Sequence, residues 1–219
     1  MTVHLDQQPR VQRLNIDTAQ IYMVEDFLNL SECEEVIAAI NKSLRPSTVT
    51  RGRGDYRTSS TCNFRENSSE LAWRLDLRIS DLLGVDLRRS EPIQGQRYDV
   101  GEYFKEHRDW FAPGTPEHAK HTANGGQRTW TVMVYLNEVE RGGETYFKYL
   151  GRSFTPEPGL ALIWNNLYAD GEGNPYTLHE ALPVEQGNKW VITKWFREDM
   201  GRNNWDEKQK VTEKVKDRV

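Results

Sequence analysis

The sequence predicts an α+β protein whose core is a jelly-roll-like β-sandwich, and three observations carry that prediction. Apolar residues recur at helical spacing only ahead of Ile93. From Ile93 onward the pattern changes to short runs of period-two alternation separated by Gly and Pro turns. Aromatic residues are plentiful, with seven Trp and nine Tyr, as suits strands that pack together and line a cleft. The 219 residues suffice for one substantial core. We divide them into an N-terminal arm (1–20), a single domain (21–198) with helical support over 21–90 and a jelly-roll core over 91–198, and a charged tail (199–219).

Taken in order, the arm is polar and is expected to be loose or to add one edge strand. Ile21 to Phe27 reads as a short strand entering a helix. Ser31 and Glu34 fit a capping box, Val36, Ile37 and Ile40 supply an apolar stripe, and Pro46 sets a limit to the helix. A second helix is predicted over 68–83, with Asn67 and Glu70 as a capping pair and Leu71, Leu75, Ile79 and Leu82 on one face. Gly84 falls where a C-terminal cap belongs. Both apolar faces need a sheet to cover. Between the helices, RGRGDYRTSSTCNF (51–64) reads either as a mobile loop that closes over a substrate or as a solvated connection.

In RTWTVMVYLN (128–137), Trp130, Val132, Val134 and Leu136 share one face, suited to packing under the helices. Thr129, Thr131, Met133 and Tyr135 share the other, suited to lining an interior. Gly142-Gly143, Pro158-Gly159 and Gly187-Asn188 mark the turns between later strands. In the last strand, KWVITKWF, Lys189, Val191, Thr193 and Trp195 share a face, and Trp190, Ile192 and Phe196 share the opposite one. An inward lysine is costly unless an anion meets it, so either Lys189 points inward at an anionic ligand or the faces are reversed and Lys194 does. The insert WFAPGTPEHAKHTANGG carries His118 and His121, which with Glu117 resemble a metal site in spacing. Its Pro and Gly residues favour a polar surface loop. The tail after Met200 reads as a solvated helix or a disordered segment.

The formal charge of −4 and a pI near 5.8 give no electrostatic case for nucleic acid or an anionic membrane as the main partner. One short Arg-Gly run does not change that. No segment approaches the roughly 20 apolar residues of a membrane span, and the N-terminus has no apolar stretch of signal-peptide length. Two cysteines, Cys33 and Cys62, form no metal-ligand spacing and are read as reduced thiols, so the expected compartment is the cytoplasm. Oligomeric state is left open.

The chemistry centres on YDVGEYFKEHRDWF (98–111). In an extended strand His107 and Asp109 project from the same face. His179, in the later segment TLHEALPV, offers a third ligand. Two histidines and one carboxylate on one face of an octahedral ion leave three adjacent positions open, the pattern of non-haem Fe(II) oxygenases. Those positions suit a bidentate 2-oxo acid and O2.

Together with Arg57-Thr58-Ser59, Tyr98, NGGQR ending at Arg128, Thr131, Tyr135-Leu136-Asn137, GGET (142–145), Pro183-Val184 and GNKW through Lys189, these residues give the chain a resemblance to the prolyl 4-hydroxylase family of Fe(II)- and 2-oxoglutarate-dependent dioxygenases. The likeness covers about residues 20–197. It implies a double-stranded β-helix core with helices along one side. Fe(II) would be bound by His107, Asp109 and His179, and the distal carboxylate of 2-oxoglutarate would be held by Lys189. Thr131 falls where the family lines the co-substrate pocket. Tyr98, Arg128 and Trp195 fall around the peptide groove and the reacting proline, and the loop carrying Arg57 resembles the family's lid over bound peptide. The resemblance also implies ascorbate in support of activity and a Pro-containing peptide or protein as substrate. The carboxylate of Asp109 favours hydroxylation over halogenation.

Two departures stand out. Family members often place a tyrosine three residues before the first iron-binding histidine, where this chain has Phe104, and Tyr103 beside it is the candidate substitute. The polar stretch YADGEGNPY before His179 is extended, which allows a reshaped groove and a substrate other than a collagen-like repeat. Two further readings accompany the main one: a related oxygenase acting on a free amino acid or other small molecule, and a metal-binding β-sandwich that binds a peptide or sugar without turnover.

Overall fold

The fold is described from a computed structural model over residues 2–47, 56–64, 69–123 and 125–198. In chain order its elements are helix α1 (Thr2–Asp6), strands β1 (Val11–Arg13) and β2 (Ile21–Val24), helix α2 (Leu30–Asn41), strands β3 (Arg45–Pro46) and β4 (Ser60–Asn63), and helix α3 (Ser69–Leu83). Then follow β5 (Gln94–Tyr98), β6 (Phe104–His107), helix α4 (Pro116–Thr122), β7 (Arg128–Tyr135), β8 (Arg141–Gly142), β9 (Thr145–Phe147), β10 (Arg152–Phe154), β11 (Ala161–Asn165), β12 (His179–Ala181), β13 (Val184–Gln186) and β14 (Lys189–Arg197). A large sheet runs β1-β2-β11-β7-β14-β5-β4-β3, a smaller one β10-β9-β12-β6, and β13 pairs with β8. Helices lead and an antiparallel two-sheet core follows, the α+β jelly-roll arrangement expected.

The alternation in β7 and β14 decides what each face of the large sheet meets. Trp130, Val132, Val134, Ile192 and Phe196 join Val36 and Ile40 of α2 and Leu71, Leu75 and Ile79 of α3 in one apolar cluster. Met133, Tyr135 and Val191 turn the other way and join Phe147, Leu162 and Trp164 between the sheets. Each fully buried aliphatic or aromatic side chain stabilises the fold by roughly 1.5–3 kcal/mol, so one residue of slip in either strand would expose a row of them. Gly159 fixes the approach of α2 to this sheet. It takes φ +79°, accepts from the Phe27 N–H and donates to the Tyr135 carbonyl, both at 2.9 Å, and a Cβ there would run into the Leu28 carbonyl oxygen.

The structure differs from several local expectations. The capping box of α2 is Asn29 with Glu32, not Ser31 with Glu34. Asn29 Oδ1 accepts from the Glu32 N–H at 2.9 Å, and Glu32 accepts from the Asn29 N–H at 2.8 Å. Both sequences have capping chemistry, and the box forms two residues earlier because Leu30 is already helical. Of the two expectations for the N-terminal arm, the edge strand is the one the structure has. Leu5 is fully buried in the core, the His4 ring bonds the Asp81 carbonyl at 2.9 Å, and β1 pairs with β2 as an edge strand. Helix α3 spans nearly the predicted range and ends on Gly84 at φ +62°, although Asn67 of its predicted capping pair lies outside the described residues.

Within 51–64, residues 51–55 also lie outside them. Ser60 to Asn63 are not loop but strand β4, paired with β5. The insert expected as a surface loop contains α4, capped by Thr115 with Pro116 in its first turn, where a missing N–H costs nothing. The charged tail lies outside the described residues. Cys33 and Cys62 are buried and are not joined in a disulfide.

The two candidate caps make a direct test. Asn29→Ala should lower unfolding free energy by about 1 kcal/mol, whereas Ser31→Ala, at an exposed position, should stay within about 0.5 kcal/mol. Urea titrations of both variants would reveal the difference, and equal effects would contradict the assignment.

Candidate active site

Strand register assembles the three metal-ligand candidates. β12 pairs antiparallel with β6 so that His179 lies directly opposite His107, with ring centroids 4.3 Å apart. Asp109 follows just beyond the end of β6. Donor atoms of His107, Asp109 and His179 all lie within 4.8 Å of one another. Both imidazoles are oriented by backbone. Nδ1 of His107 donates to the Lys105 carbonyl at 2.8 Å, and Nδ1 of His179 to the Thr177 carbonyl at 2.9 Å. A carbonyl can only accept, so each ring carries its proton on Nδ1 and presents the Nε2 lone pair.

Burial, with the neighbouring His179, depresses His107 to a pKa of about 3, so it is a neutral ligand at any ordinary pH. Burial opposes ionisation of Asp109, but His179, His107, Arg128 and the Thr131 hydroxyl outweigh it and hold the carboxyl below its usual range. Two imidazoles and an ionised carboxylate are the donor set that a divalent first-row metal such as Fe(II) requires. The residues fit the ion.

Two cavities meet at this triad. Arg57, Phe104, His107, Asp109 and Trp195 line both. The inner one, about 40 Å³, runs between the sheets to Lys189. Register pairs Lys189 with Tyr98 across β14 and β5, which puts both side chains in the interior, and the ammonium sits 5.3 Å and 5.4 Å from the Tyr98 and Tyr135 ring centroids. Lys189 is 1% exposed and makes no ion pair among the described residues. Burial lowers its pKa to about 7, with Glu144 partly offsetting this from a distance. An anion entering the cavity would restore the charge.

Polar groups along the way include Gln96, which bonds Thr193 at 2.9 Å and accepts from the Tyr98 hydroxyl at 2.8 Å. Thr145 shares a hydrogen bond with the Tyr135 hydroxyl at 2.7 Å, and that hydroxyl also donates to the Phe154 carbonyl at 3.1 Å. A narrow cavity with hydroxyls along its wall and the Lys189 ammonium at its end fits a dicarboxylate.

The outer groove, about 530 Å³, is bounded by α4 and its flanking loops on one side and the ends of β5 and β14 on the other. Arg128 crosses its floor. Its Nε and Nη2 each donate to Glu91 at 2.7 Å, and the guanidinium lies 4.0 Å from the centre of the Trp195 ring. Arg197 donates to the same carboxylate at 2.6 Å. Burial disfavours the Glu91 anion, but the two arginines hold its pKa down. Trp195 Nε1 is buried without a partner among the described residues, a donor available to a substrate carbonyl. Trp110 forms another wall. It packs where a Cβ of Gly173 would stand and donates to the Asn174 carbonyl at 3.2 Å, so the polar stretch before His179 shapes the groove through this ring.

Of the expected site residues, His107, Asp109 and His179 converge, Lys189 ends the inner cavity, and Arg57, Arg128 and Trp195 line the groove. Three fall elsewhere. Tyr98 belongs to the inner cavity rather than the peptide groove, because its register partner is Lys189. Thr131 does not line the inner cavity; its hydroxyl is committed to Asp109 Oδ2 at 2.7 Å. Tyr103 lines neither cavity, since alternation along the strand sends it away from Phe104, whose ring stacks on His107 at 3.6 Å. The insert histidines form no metal cluster among the described residues, and His121 stacks on Phe111 at 5.0 Å. Residues that sequence reasoning missed are Thr145, Gln96, Thr193, Trp164 and Glu91. Two of these had a signal: Thr145 as the last residue of GGET, and Thr193 as a residue on the face of Lys189.

Comparison with known proteins gives a consistent set. A model described as the 2OG-Fe(II) oxygenase superfamily matches residues 93–197, from the start of β5 to the end of β14. Prolyl 4-hydroxylase subunit alpha-1 of Homo sapiens is 34% identical over 196 residues, covering 87% of this chain and 36% of the relative. Prolyl 4-hydroxylase 5 of Arabidopsis thaliana is 34% identical over 196 residues, covering 78% of this chain and 66% of the relative. The chain therefore spans about a third of the length of the human relative. Among solved structures, the viral collagen prolyl hydroxylase from Paramecium Bursaria Chlorella virus-1, in its 2OG complex, superposes with a TM-score of 0.65 at 26% identity, covering 81% of this chain and 95% of the other.

The unpaired lysine makes stability depend on pH in a defined direction. With a folded pKa near 7 against an ordinary 10.5, the unfolded chain binds more protons than the folded one across that window. Stability from this group therefore rises with pH between about 7 and 10.5, by at most about 1.4 kcal/mol per unit. Urea unfolding of the metal-free protein should show that rise, and Lys189→Met should remove its share. An unchanged slope in the variant would refute a depressed lysine.

Proposed function

The chain belongs to the 2OG-Fe(II) oxygenase superfamily, and from that premise we propose that it is a prolyl 4-hydroxylase, hydroxylating proline within a peptide or protein. The observation that carries the reading is the buried triad at the meeting point of two cavities, one ending in an unpaired lysine and the other open along the protein surface. When bound, Fe(II) would supply oxidising power from O2 as 2-oxoglutarate is converted to succinate and CO2. The protein's own share is to hold, orient and exclude water.

His107, Asp109 and His179 would hold the ion, each offering one ligand atom, and would leave room for other ligands. Lys189 receives the distal carboxylate of 2-oxoglutarate, with the Thr145 hydroxyl beside its path. Arg128 and Trp195, braced by Glu91, set the reacting residue over the junction, and Trp110 and Arg57 bound the groove on either side. A groove of about 530 Å³ that continues past the junction favours an extended peptide over a free amino acid. The catalytic unit corresponds to residues 21–198. Ascorbate supports turnover in this reading, and two buried cysteines that form no disulfide favour a cytoplasmic setting. No helix among the described residues is long and apolar enough to cross a membrane.

The deciding assay is succinate formation with Fe(II), ascorbate and 2-oxoglutarate, scored beside mass spectra of Pro-containing peptides and of free proline. A one-oxygen gain on peptidyl proline is the expected result. A gain on free proline alone would replace the peptide reading with a small-molecule one, and bound iron with no succinate would leave a non-catalytic binding protein.

The roles separate by mutation. Lys189→Ala should weaken 2-oxoglutarate use while iron stays bound, whereas His179→Ala should lose both. Arg128→Ala should keep peptide-independent 2-oxoglutarate decay and hydroxylate peptide poorly. Equal iron loss in the lysine and histidine variants would contradict this division.

A further inference from the structure

Behind the metal-ligand candidates lies a buried chain of three side chains. Asn166 Nδ2 donates to Thr131 Oγ1 at 2.8 Å, and Thr131 Oγ1 donates to Asp109 Oδ2 at 2.7 Å. Asn166 and Thr131 are both 0% exposed and Asp109 is 4% exposed. The direction of the chain follows from valence. An ionised carboxylate can only accept, so the single proton of the Thr131 hydroxyl goes to Asp109. Asn166 must then present its amide hydrogens, not its carbonyl, to the threonine oxygen. That orientation leaves Asn166 Oδ1 buried with no partner among the described residues. A carboxamide is normally turned so that both ends are satisfied, so the site keeps a costly arrangement in order to point a donor at Thr131.

The backbone holds Asn166 there. Its N–H donates to the Thr129 carbonyl at 2.7 Å, and its own carbonyl accepts from the Asn174 N–H at 2.9 Å, which pins it at the foot of the hairpin closed by the Leu167 and Gly173 bridge.

We propose that Asn166 is a positioning residue for the metal site: by committing the Thr131 proton to Asp109 Oδ2, it reserves one carboxylate oxygen for the ion. The consequence is a count of open positions. With three protein atoms on an octahedral ion, three positions remain, enough for a two-toothed 2-oxo acid and O2. A carboxylate rotated to bind through both oxygens would leave two. This inference rests on the oxygenase reading, and its test does not need turnover.

The test is a double-mutant cycle read as Co(II) affinity of the metal-free protein, followed by the visible absorption of the bound ion, whose intensity reports coordination number. Thr131→Val and Asn166→Ala should each weaken Co(II) binding by roughly tenfold or more. The double variant should be no worse than the weaker-binding single one, because the asparagine acts only through the threonine. Thr131→Ser, which keeps the hydroxyl, should bind Co(II) like the parent protein. If Asn166→Ala does not fold, Asn166→Asp keeps the shape but can only accept from Thr131, and it should also lose affinity. Multiplying losses in the double variant, or an unchanged absorption in every variant, would overturn the relay while leaving the triad as a metal site. Failure of the parent protein to bind Co(II) would overturn the metal reading beneath it.

Discussion

The antiparallel pairing of β12 with β6 is the constraint on which the site depends. It brings His179 opposite His107, and because side chains alternate along a strand, a slip of one residue would turn one imidazole out of the site altogether. Packing on both sides holds the register. Phe147 and Trp164 lie 5.3 Å and 4.9 Å from the His179 ring, and the backbone carbonyls of Lys105 and Thr177 lock the two ring orientations. Metal binding therefore needs little rearrangement of its protein ligands, the condition for a site that must keep part of its coordination sphere for others.

The two lysines of β14 form an internal control on the meaning of buried charge. Lys189 and Lys194 are an odd number of residues apart and so occupy opposite faces of one strand, and both are essentially inaccessible. Lys194 meets Asp76 of α3 and the Glu91 carbonyl, so it joins helix to sheet and is satisfied by the fold itself. Lys189 has no such carboxylate among the described residues, and burial lowers its pKa to about 7. Desolvating an unpaired ammonium costs several kcal/mol. The fold thus pairs one buried lysine and leaves the other with no acid in ion-pair contact among the described residues.

The sequence made the faces of β7 and β14 legible because both strands are long enough for alternation to be unambiguous. The apolar rows on the helix side and the polar row toward the interior fall as their spacing indicated. Helices α2 and α3 were readable for the same reason, with a period carried over several turns. What failed was local or relational. Two capping boxes compete within six residues of α2, and only backbone dihedrals choose between them. Tyr98 and Thr131 had the right face but the wrong neighbour, because which strand lies alongside is set by pairing across the sheet. Strands of three residues such as β9 are too short to show a period, so Thr145 carried no geometric signal beyond its motif.

Phe104 sets a flat hydrocarbon face beside the metal-ligand candidates. Its ring lies nearly parallel to the His107 imidazole, 14° from coplanar, and the Arg57 guanidinium lies 4.8 Å from its centre. A stacked ring cannot donate a hydrogen bond to a bound carboxylate, but it excludes water from one side of His107, and burial is the largest cause of that histidine's depressed pKa. The polar work in the inner cavity then falls to groups on the large sheet and on β9: Lys189, Thr145 and the Gln96–Thr193 pair. On the groove side, Gly173 gives Trp110 its seat, so a stretch whose composition reads as solvent-facing loop shapes one wall of the groove. Cover over the ligands and shape in the groove thus come from different parts of the chain, which allows the groove to vary while the metal-binding strands keep their register.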